Sequence, residues 1–241
     1  MRLLLGKGSS TKQHSTTSSE TGTTLLHLAA KGGYTGLVEM LLGSTPKDRD
    51  RTGVMELLIS NDASIDAGDK CNNTPLHFAA KNGHIGVIDL LLSKGASIEA
   101  KGLYKRTPLH LAAGGGRTET MKLLLRRGGS IEARLECGCT LLHWVAYLGR
   151  TKAVRLLLEK GALINTRDND NQTPLHAAVG KGHIYMVKLL LEKGASIGVK
   201  DRFNETPLDI AERLGKTQII RLLQKAQVSS SWNILHTHHH A

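Results

Sequence analysis

Apolar residues recur along most of this chain in short groups whose spacing predicts paired helices. Leu76, Ala79 and Ala80 fall on one side of a helix of about two turns. After a glycine, the segment 87–92 reads Val-Ile-Asp-Leu-Leu-Leu, which is apolar around most of its circumference and typical of a helix packed between others. A Lys-Gly pair follows, suited to the last turn and to a left-handed helix stop. The pattern predicts a unit of two short helices, each marginal on its own.

The same unit returns at a constant interval of 33 residues, and a threonine heads its first helix. The threonine hydroxyl is placed to cap the helix N-terminus, and the proline that usually follows needs no hydrogen bond there. Short units that cannot bury their own apolar face are typical of stacked repeat arrays. The heading threonines are Thr74, Thr107, Thr140, Thr173 and Thr206, with a similar segment at Thr24.

The segment Thr107-Pro108-Leu109-His110-Leu111-Ala112-Ala113 and its copies resemble the signature of the ankyrin-repeat family. The resemblance extends from residue 23 to residue 226. It implies an all-α fold, an ankyrin-repeat α-solenoid of stacked helix pairs with projecting hairpins. It also implies a non-catalytic scaffold or adaptor that binds a protein partner.

The repeat period divides the chain into predicted units. Full repeats are expected at 69–101, 102–134, 135–167 and 168–200, after a first repeat at 23–50 and a partial repeat at 51–68, where the period breaks. The unit 201–226 carries Asp209, Glu212 and Gln224 where other repeats have histidine, small or leucine residues, so we expect a polar capping repeat. We expect a degenerate or flexible segment at 1–22, as at the cut edge of a longer array or in an eroded gene. A flexible His-containing tail is expected at 227–241.

Histidines are the first candidates for chemistry, because one stands in nearly every unit. Packed helices lie about 8–10 Å apart, whereas a zinc–nitrogen bond is about 2.0–2.1 Å long, so one ion cannot reach two of them. We expect each ring to bond within its own turn and to the adjacent hairpin. No catalytic set has a geometric basis, and we predict no enzyme activity, no metal and no cofactor. The histidines are His27, His77, His110, His143 and His176.

The resemblance also implies where a partner binds. Ankyrin-repeat proteins usually bind with the hairpin tips and the exposed side of the first helices, a surface that we call the concave ladder. Tyr104, Tyr147 and Phe203 are its expected anchors, because rigid aromatic side chains dominate many interfaces. Carried over position by position, the concave ladder comprises Lys70, Asn73, Lys81, Leu103, Tyr104, Arg106, Glu136, Tyr147, Leu148, Asn169, Asp170, Lys181, Arg202, Phe203 and Arg213.

A row of basic residues at the hairpin bases is a second candidate feature. Lys101, Arg134, Arg167 and Lys200 recur once per repeat, and no acidic residue follows the first two. One hypothesis is that an acidic protein segment lies along this row, steered by the formal net charge of +11. The alternative is that a basic residue is simply common at this position of the family.

Two other functions stay open at this point. The positive charge also suits a basic module that binds nucleic acid or another polyanion, although Glu136 and Asp170 interrupt the ladder. The second alternative is that the chain is the targeting fragment of a larger ankyrin-containing enzyme.

No apolar stretch reaches the length of a membrane span and no secretory leader is evident, so we expect a monomer in the cytoplasm or nucleus without membrane insertion. Asn165 matches the hairpin asparagine that hydroxylases modify in some ankyrin proteins.

Overall fold

The computed structural model describes residues 23–41 and 64–237, and these residues form successive helix pairs. They contain no β-strand, and the all-α repeat solenoid predicted from the sequence is confirmed. A single 3₁₀ turn at Leu103–Lys105 precedes the fifth helix. In chain order the helices are α1 (Leu25–Gly32), α2 (Thr35–Leu41), α3 (Pro75–Asn82), α4 (Ile85–Ser93), α5 (Pro108–Gly114), α6 (Thr118–Arg126), α7 (Leu141–Tyr147), α8 (Thr151–Glu159), α9 (Pro174–Lys181), α10 (Ile184–Glu192), α11 (Pro207–Arg213) and α12 (Thr217–Thr237).

A threonine–histidine pair starts most of the first helices. At α3, Thr74 stands before Pro75, and its backbone N–H donates to His77 Nδ1 across 3.0 Å. The helix ends at Gly83, whose φ of 85° lies in the left-handed region that glycine adopts without strain. The start and the stop signals read from the sequence therefore act as predicted.

Four of the five motif histidines also tie their repeat to the hairpin of the next, whereas His110 Nε2, expected to do the same, has no such bond among the described residues. His77 Nε2 donates to Arg106 O across 2.9 Å. A carbonyl oxygen can only accept, so Nε2 carries a proton, and the ring is neutral because Nδ1 accepts the backbone N–H of Thr74. Burial lowers the pKa of these rings, which keeps them neutral near pH 7. The equivalent bonds join His27 to Asn73, His143 to Gln172 and His176 to Glu205.

The core is a continuous stack of alanine and leucine layers. Ala79 and Ala80 of α3 are fully buried, and so are Ala112 and Ala113 of α5. These small side chains allow the first helices of adjacent repeats to approach closely, while larger side chains of the second helices fill the space behind them. The largest fully buried side chains are Leu26, Leu76, Ile88, Leu91, Leu109, Met121, Leu124, Leu141, Leu142, Leu157, Leu175 and Met186.

Backbone hydrogen bonds join the hairpin tips of the last four repeats into one ridge. Such bonds fix the relative positions of the tips before a partner arrives, which lowers the entropic cost of binding. The bonds run from the N–H groups of Glu136, Asn169 and Arg202 to the carbonyl oxygens of Tyr104, Cys137 and Asp170, over 3.1, 3.1 and 2.9 Å.

The last repeat has the polar outer face that a cap needs. Asp209 replaces the motif histidine, and its carboxylate accepts both the backbone N–H and the hydroxyl of Thr206 at 2.7 Å. Glu212 and Gln224 are exposed. The start of α11 is thus stabilised without a further repeat beyond it.

The last helix is longer than the sequence analysis predicted. Helix α12 continues to Thr237, so the tail expected to be flexible from residue 227 is helical up to that point. Gln227 stands where four earlier repeats have the glycine that ends the second helix, and no glycine or proline follows before Thr237. Three other predicted features lie outside the described residues: the segment 1–22, most of the partial repeat 51–68, and the histidines at 238–240.

Candidate binding surface

The concave ladder contains a cavity of about 710 Å³ that is lined by three consecutive hairpins, between residues 104 and 172, and by the first helices α7, α9 and α11. The anchors Tyr104 and Tyr147 line it and are 55% and 43% exposed, whereas Phe203, 64% exposed, lies outside the lining. The cavity brings together six predicted residues, Tyr104, Arg106, Glu136, Tyr147, Lys181 and Arg213. The other predicted ladder residues do not line it: Lys70, Asn73, Lys81, Leu103, Leu148, Asn169, Asp170, Arg202 and Phe203.

Small side chains between large ones create this cavity. Ala177 and Gly180 lie in its wall, in the first helix of their repeat. A Cβ added at Gly180 would meet nothing within 4 Å, so the space above this glycine is open. In the neighbouring repeats, the positions equivalent to Ala177 are Trp144 and Ile210, and those equivalent to Gly180 are Tyr147 and Arg213.

Trp144, which was not among the residues predicted from the sequence, lies in a stack of rings and cations. Its ring is 5.9 Å from that of Tyr147, with an angle of 5° between the planes. The Arg106 guanidinium carbon lies 4.8 Å from the centre of the Trp144 ring. Lys181 Nζ lies 4.3 Å from the centre of the Tyr147 ring. Each cation is attracted to the electron-rich face of its ring, which holds the cavity wall in one arrangement.

The hairpin that carries Tyr104 has a strained backbone. Tyr104 and Lys105 have φ angles of 58° and 60°, in the left-handed region that side chains with a Cβ disfavour. In each of the other described hairpins one residue has a left-handed φ, and it is an asparagine or a glycine at the position equivalent to Lys105. Strain of this kind persists where the surroundings hold it, often at binding sites. Here it sets the position of the Tyr104 ring at the edge of the cavity.

The charged ladder residues differ in whether they already have a partner. Arg202 Nη1 lies 2.7 Å from Asp170 Oδ1, so these two predicted residues bind each other. Among the described residues, neither Arg106 nor Lys181 has a carboxylate within 4.0 Å, and both remain available to an acidic ligand.

The basic row is partly occupied by contacts within the chain. Arg134 Nη1 donates to Gly138 O at 2.6 Å and to Arg167 O at 2.9 Å. Its side chain therefore bridges two hairpins, although its charge is not neutralised. Lys101 is exposed. Two of the row's residues, Arg167 and Lys200, precede aspartates whose carboxylates bond to backbone N–H groups of their own turns.

Three buried polar atoms near the cavity lack a hydrogen-bond partner among the described residues. They are Arg106 Nε, His110 Nε2 and Trp144 Nε1. Burial and, secondly, the charge of Arg106 lower the pKa of His110 to about 4. The hairpins on either side of His110 begin with Gly102 and Leu135, where three other repeats have an aspartate. His110 therefore has no nearby carboxylate to offset its burial.

Asp168 and Cys139 contribute two bonded polar groups to the cavity wall. Asp168 Oδ1 accepts the N–H groups of Asp170 and Gln172 at 2.9 Å. The Cys139 thiol donates to Asp168 Oδ2 at 3.5 Å. Burial, together with contacts to Cys137 and Asp168, raises the pKa of the Cys139 thiol. Because a protonated thiol is a weak nucleophile, this arrangement does not favour cysteine-based catalysis.

The predicted modification site Asn165 takes part in a regular series of bonds between hairpins. Its side-chain oxygen accepts the backbone N–H of Ser196 at 2.8 Å. An acidic side chain makes the equivalent bond in three earlier repeats. Asn165 is thus a structural link, and its hydroxylation stays a prediction.

Residues 23–41 and 64–237 contain neither a cluster of metal ligands nor a membrane span. In these ranges no three His, Cys, Asp or Glu side chains are grouped so that they would hold a metal ion. No helix there is both long enough and apolar enough to cross a membrane.

A family model described as ankyrin repeats matches the chain in three copies, over residues 1–102, 49–134 and 127–201. The matches cover most of the chain, which therefore belongs to the ankyrin-repeat family. Ankyrin repeats are generally protein–protein interaction modules and are typically non-catalytic. No curated protein matches this chain.

Proposed function

We propose that this chain is a non-catalytic scaffold or adaptor that binds a protein partner through the concave ladder. The observation that carries the proposal is the cavity lined by Tyr104, Trp144 and Tyr147, because aromatic side chains around a partly enclosed space are typical of binding hot spots. The ridge of bonded hairpin tips adds a rigid border to this surface. Binding is therefore largely rigid-body.

Nucleic-acid binding is the weaker candidate for the same surface. Single-stranded nucleic acid binds where bases stack on free aromatic faces beside cations. Here Arg106 and Lys181 lie over the faces of Trp144 and Tyr147. A base would have to displace a cation from its ring before it stacked there. A protein partner needs no such displacement, since its side chains can enter the space beside the rings.

We further propose that the chain acts as a monomer in the cytoplasm or nucleus. The free cysteines Cys71, Cys137 and Cys139 support a reducing compartment. Light scattering coupled to size exclusion tests the monomer, with a mass of 26.1 kDa expected. A role as the targeting part of an ankyrin-containing enzyme would use the same binding surface.

The direct test is affinity capture from nuclease-treated cell lysate at low and moderate salt. The wild-type chain is compared with a variant that carries Tyr104→Ala, Tyr147→Ala and Phe203→Ala. A protein retained by the wild type at moderate salt and lost by the variant supports the proposal. Material that is equally retained by both and released by salt or nuclease contradicts it, because polyelectrolyte binding weakens steeply with salt.

A further inference from the structure

We propose that the cavity holds one large apolar side chain from an extended, acidic segment of the partner protein, with carboxylates of that segment contacting Arg106 and Lys181. This inference rests on the proposed function, since it specifies the partner chemistry of the same surface.

The floor of the cavity suits an apolar side chain. Leu135 and Ile210 line it and are buried. Leu135 replaces an aspartate, which in the equivalent position of three other repeats is Asp69, Asp168 and Asp201. The volume of about 710 Å³ lies within the range of about 300–1,000 Å³ typical of ligand pockets. It has room for a large side chain and part of the adjoining backbone.

The cations of the cavity suit a segment that carries carboxylates beside this anchor. Arg106 and Lys181 lack an ion-pair partner among the described residues, and each lies over one ring of the stack. A cationic anchor is disfavoured, because Trp144 and Tyr147 already hold a positive charge on one face. An acidic segment gains charge-assisted hydrogen bonds from both side chains.

The other charged side chains that line the cavity have little effect on its preference for an acidic segment. Arg213 is paired with Glu205, whose carboxylate oxygens lie 2.7 and 3.0 Å from its nitrogens. The Asp168 carboxylate accepts two backbone N–H bonds and the Cys139 thiol. Glu136 is exposed at a hairpin tip and opposes an acidic ligand. The formal net charge of +11 outweighs this local repulsion during the approach.

The surface also sets the spacing of the segment. Successive repeats lie about 10 Å apart, a distance that about three residues of extended chain cover. A segment that runs along the ridge of tips therefore places its carboxylates within about three residues of the apolar anchor on either side.

The test begins with random 12-residue peptides displayed on phage and panned against the full chain in the presence of nuclease. The expected enriched sequences carry one Phe, Trp, Leu or Ile with Asp or Glu within three positions on both sides. A synthetic peptide of the enriched sequence is then titrated by fluorescence polarisation against the wild type and matched variants.

Two matched pairs of variants separate the cavity from the rest of the surface. Gly180→Leu fills the cavity and is expected to weaken peptide binding by about tenfold or more. Gly36→Leu, in a helix where an added Cβ also meets nothing within 4 Å, is expected to leave binding unchanged. Lys181→Gln is expected to weaken binding by about threefold and to reduce its salt dependence, while Lys152→Gln on the exposed side of α8 does neither.

Each outcome has a separate meaning. Peptide binding that survives Gly180→Leu but is lost in the Tyr104, Tyr147 and Phe203 triple-alanine variant contradicts the cavity inference and leaves the proposed function intact. Equal binding to wild type and triple variant contradicts both. Enrichment of basic or uncharged sequences, or no enrichment at all, overturns the proposal of an apolar anchor in an acidic segment. Leucine is a better helix former than glycine, so Gly180→Leu is not expected to reduce the melting temperature. An unreduced melting temperature shows that lost binding is not due to loss of folding.

Discussion

The guanidinium carbon of Arg106 lies 4.8 Å from the centre of the Trp144 ring, across the junction of two repeats. The contact links the hairpin of one repeat to α7, the first helix of the next repeat. Neither residue belongs to the repeat signature: the positions equivalent to Arg106 hold asparagine, cysteine, glutamine and glutamate. This part of the cavity wall is thus formed by residues that depart from the repeat pattern.

This contact predicts measurable coupling between the two side chains. In a double-mutant cycle of Arg106→Ala and Trp144→Leu, we expect a coupling free energy of about 0.5–1 kcal/mol, the range for partly exposed cation–π pairs. The free energies of unfolding are measured in urea. A cycle of Arg106→Ala with Phe203→Leu, which are not in contact, serves as the control. Equal coupling in both cycles would show that the contact contributes nothing specific.

The buried histidines predict a loss of stability in acid. The pKa of His110 falls from 6.5 in the unfolded chain to about 4 in the folded chain. The unfolded chain therefore binds more protons between these values, and stability is complete above pH 6.5 and declines as the pH falls towards 4. The pKa shift of His110 alone corresponds to a loss of about 3 kcal/mol in the free energy of unfolding as the pH falls through that range. Urea unfolding at pH 7.5 and pH 5.0 measures the decline, and equal stabilities would contradict it.

Leu135→Asp tests why His110 differs from the other motif histidines. The substitution gives His110 a carboxylate at the position that Asp168 holds relative to His143, where it raises the pKa of that histidine. We expect the pKa of His110 to rise, as followed by NMR titration of its ring protons. The resonances of His176 serve as an internal control and should titrate as in the wild type. An unchanged pKa of His110 would mean that burial, and not the missing carboxylate, decides it.

Two glycines predict opposite effects of the same substitution. At Gly115, an added Cβ would lie 2.5 Å from the carbonyl oxygen of Lys81, so backbone must move. Gly115→Ala is expected to lower the free energy of unfolding by about 2 kcal/mol. Gly180→Ala meets no atom within 4 Å and is expected to raise it by about 0.5 kcal/mol through helix propensity. Chemical denaturation compares the two, and a similar sign for both would contradict the packing described between the repeats.

The strained hairpin predicts a stabilising substitution. Lys105 has a φ of 60°, whereas Asn72, Asn171 and Asn204 take the equivalent position in other repeats. Lys105→Asn is expected to raise the free energy of unfolding by about 1 kcal/mol, because asparagine tolerates the left-handed region better. Lys70→Asn removes the same charge from a hairpin tip without this benefit and is the control. A gain in both variants would assign the effect to charge instead of backbone strain.

The repeat signature made most of the fold predictable from the sequence. Thr74, Pro75 and Gly83 each act through local backbone chemistry, so their roles could be read without knowledge of the rest of the chain. The same holds for Asp209 in the capping repeat. The extension of α12 beyond residue 226 is not predicted, because the polar residues there indicate a flexible tail, whereas the absence of a glycine at residue 227 is the better indicator.

The candidate surface was predictable only in part. Exposure of Tyr104 and Tyr147 follows from their repeat positions, but the cavity depends on how side chains of adjacent repeats combine. Comparison of equivalent positions in successive repeats would have identified Trp144, because the equivalent residue of the next repeat is the small Ala177. The ion pair between Arg202 and Asp170 depends on side-chain geometry, which no spacing along the chain specifies.

The most direct test of binding through the concave ladder is amide hydrogen exchange on the complex with the captured partner. Such binding predicts slower exchange in the hairpin tips at 103–106 and 135–139 and at the exposed ends of α7 and α9, with α8 and α10 unchanged. Protection confined to α8 and α10, on the opposite side of each repeat, would contradict binding through the concave ladder.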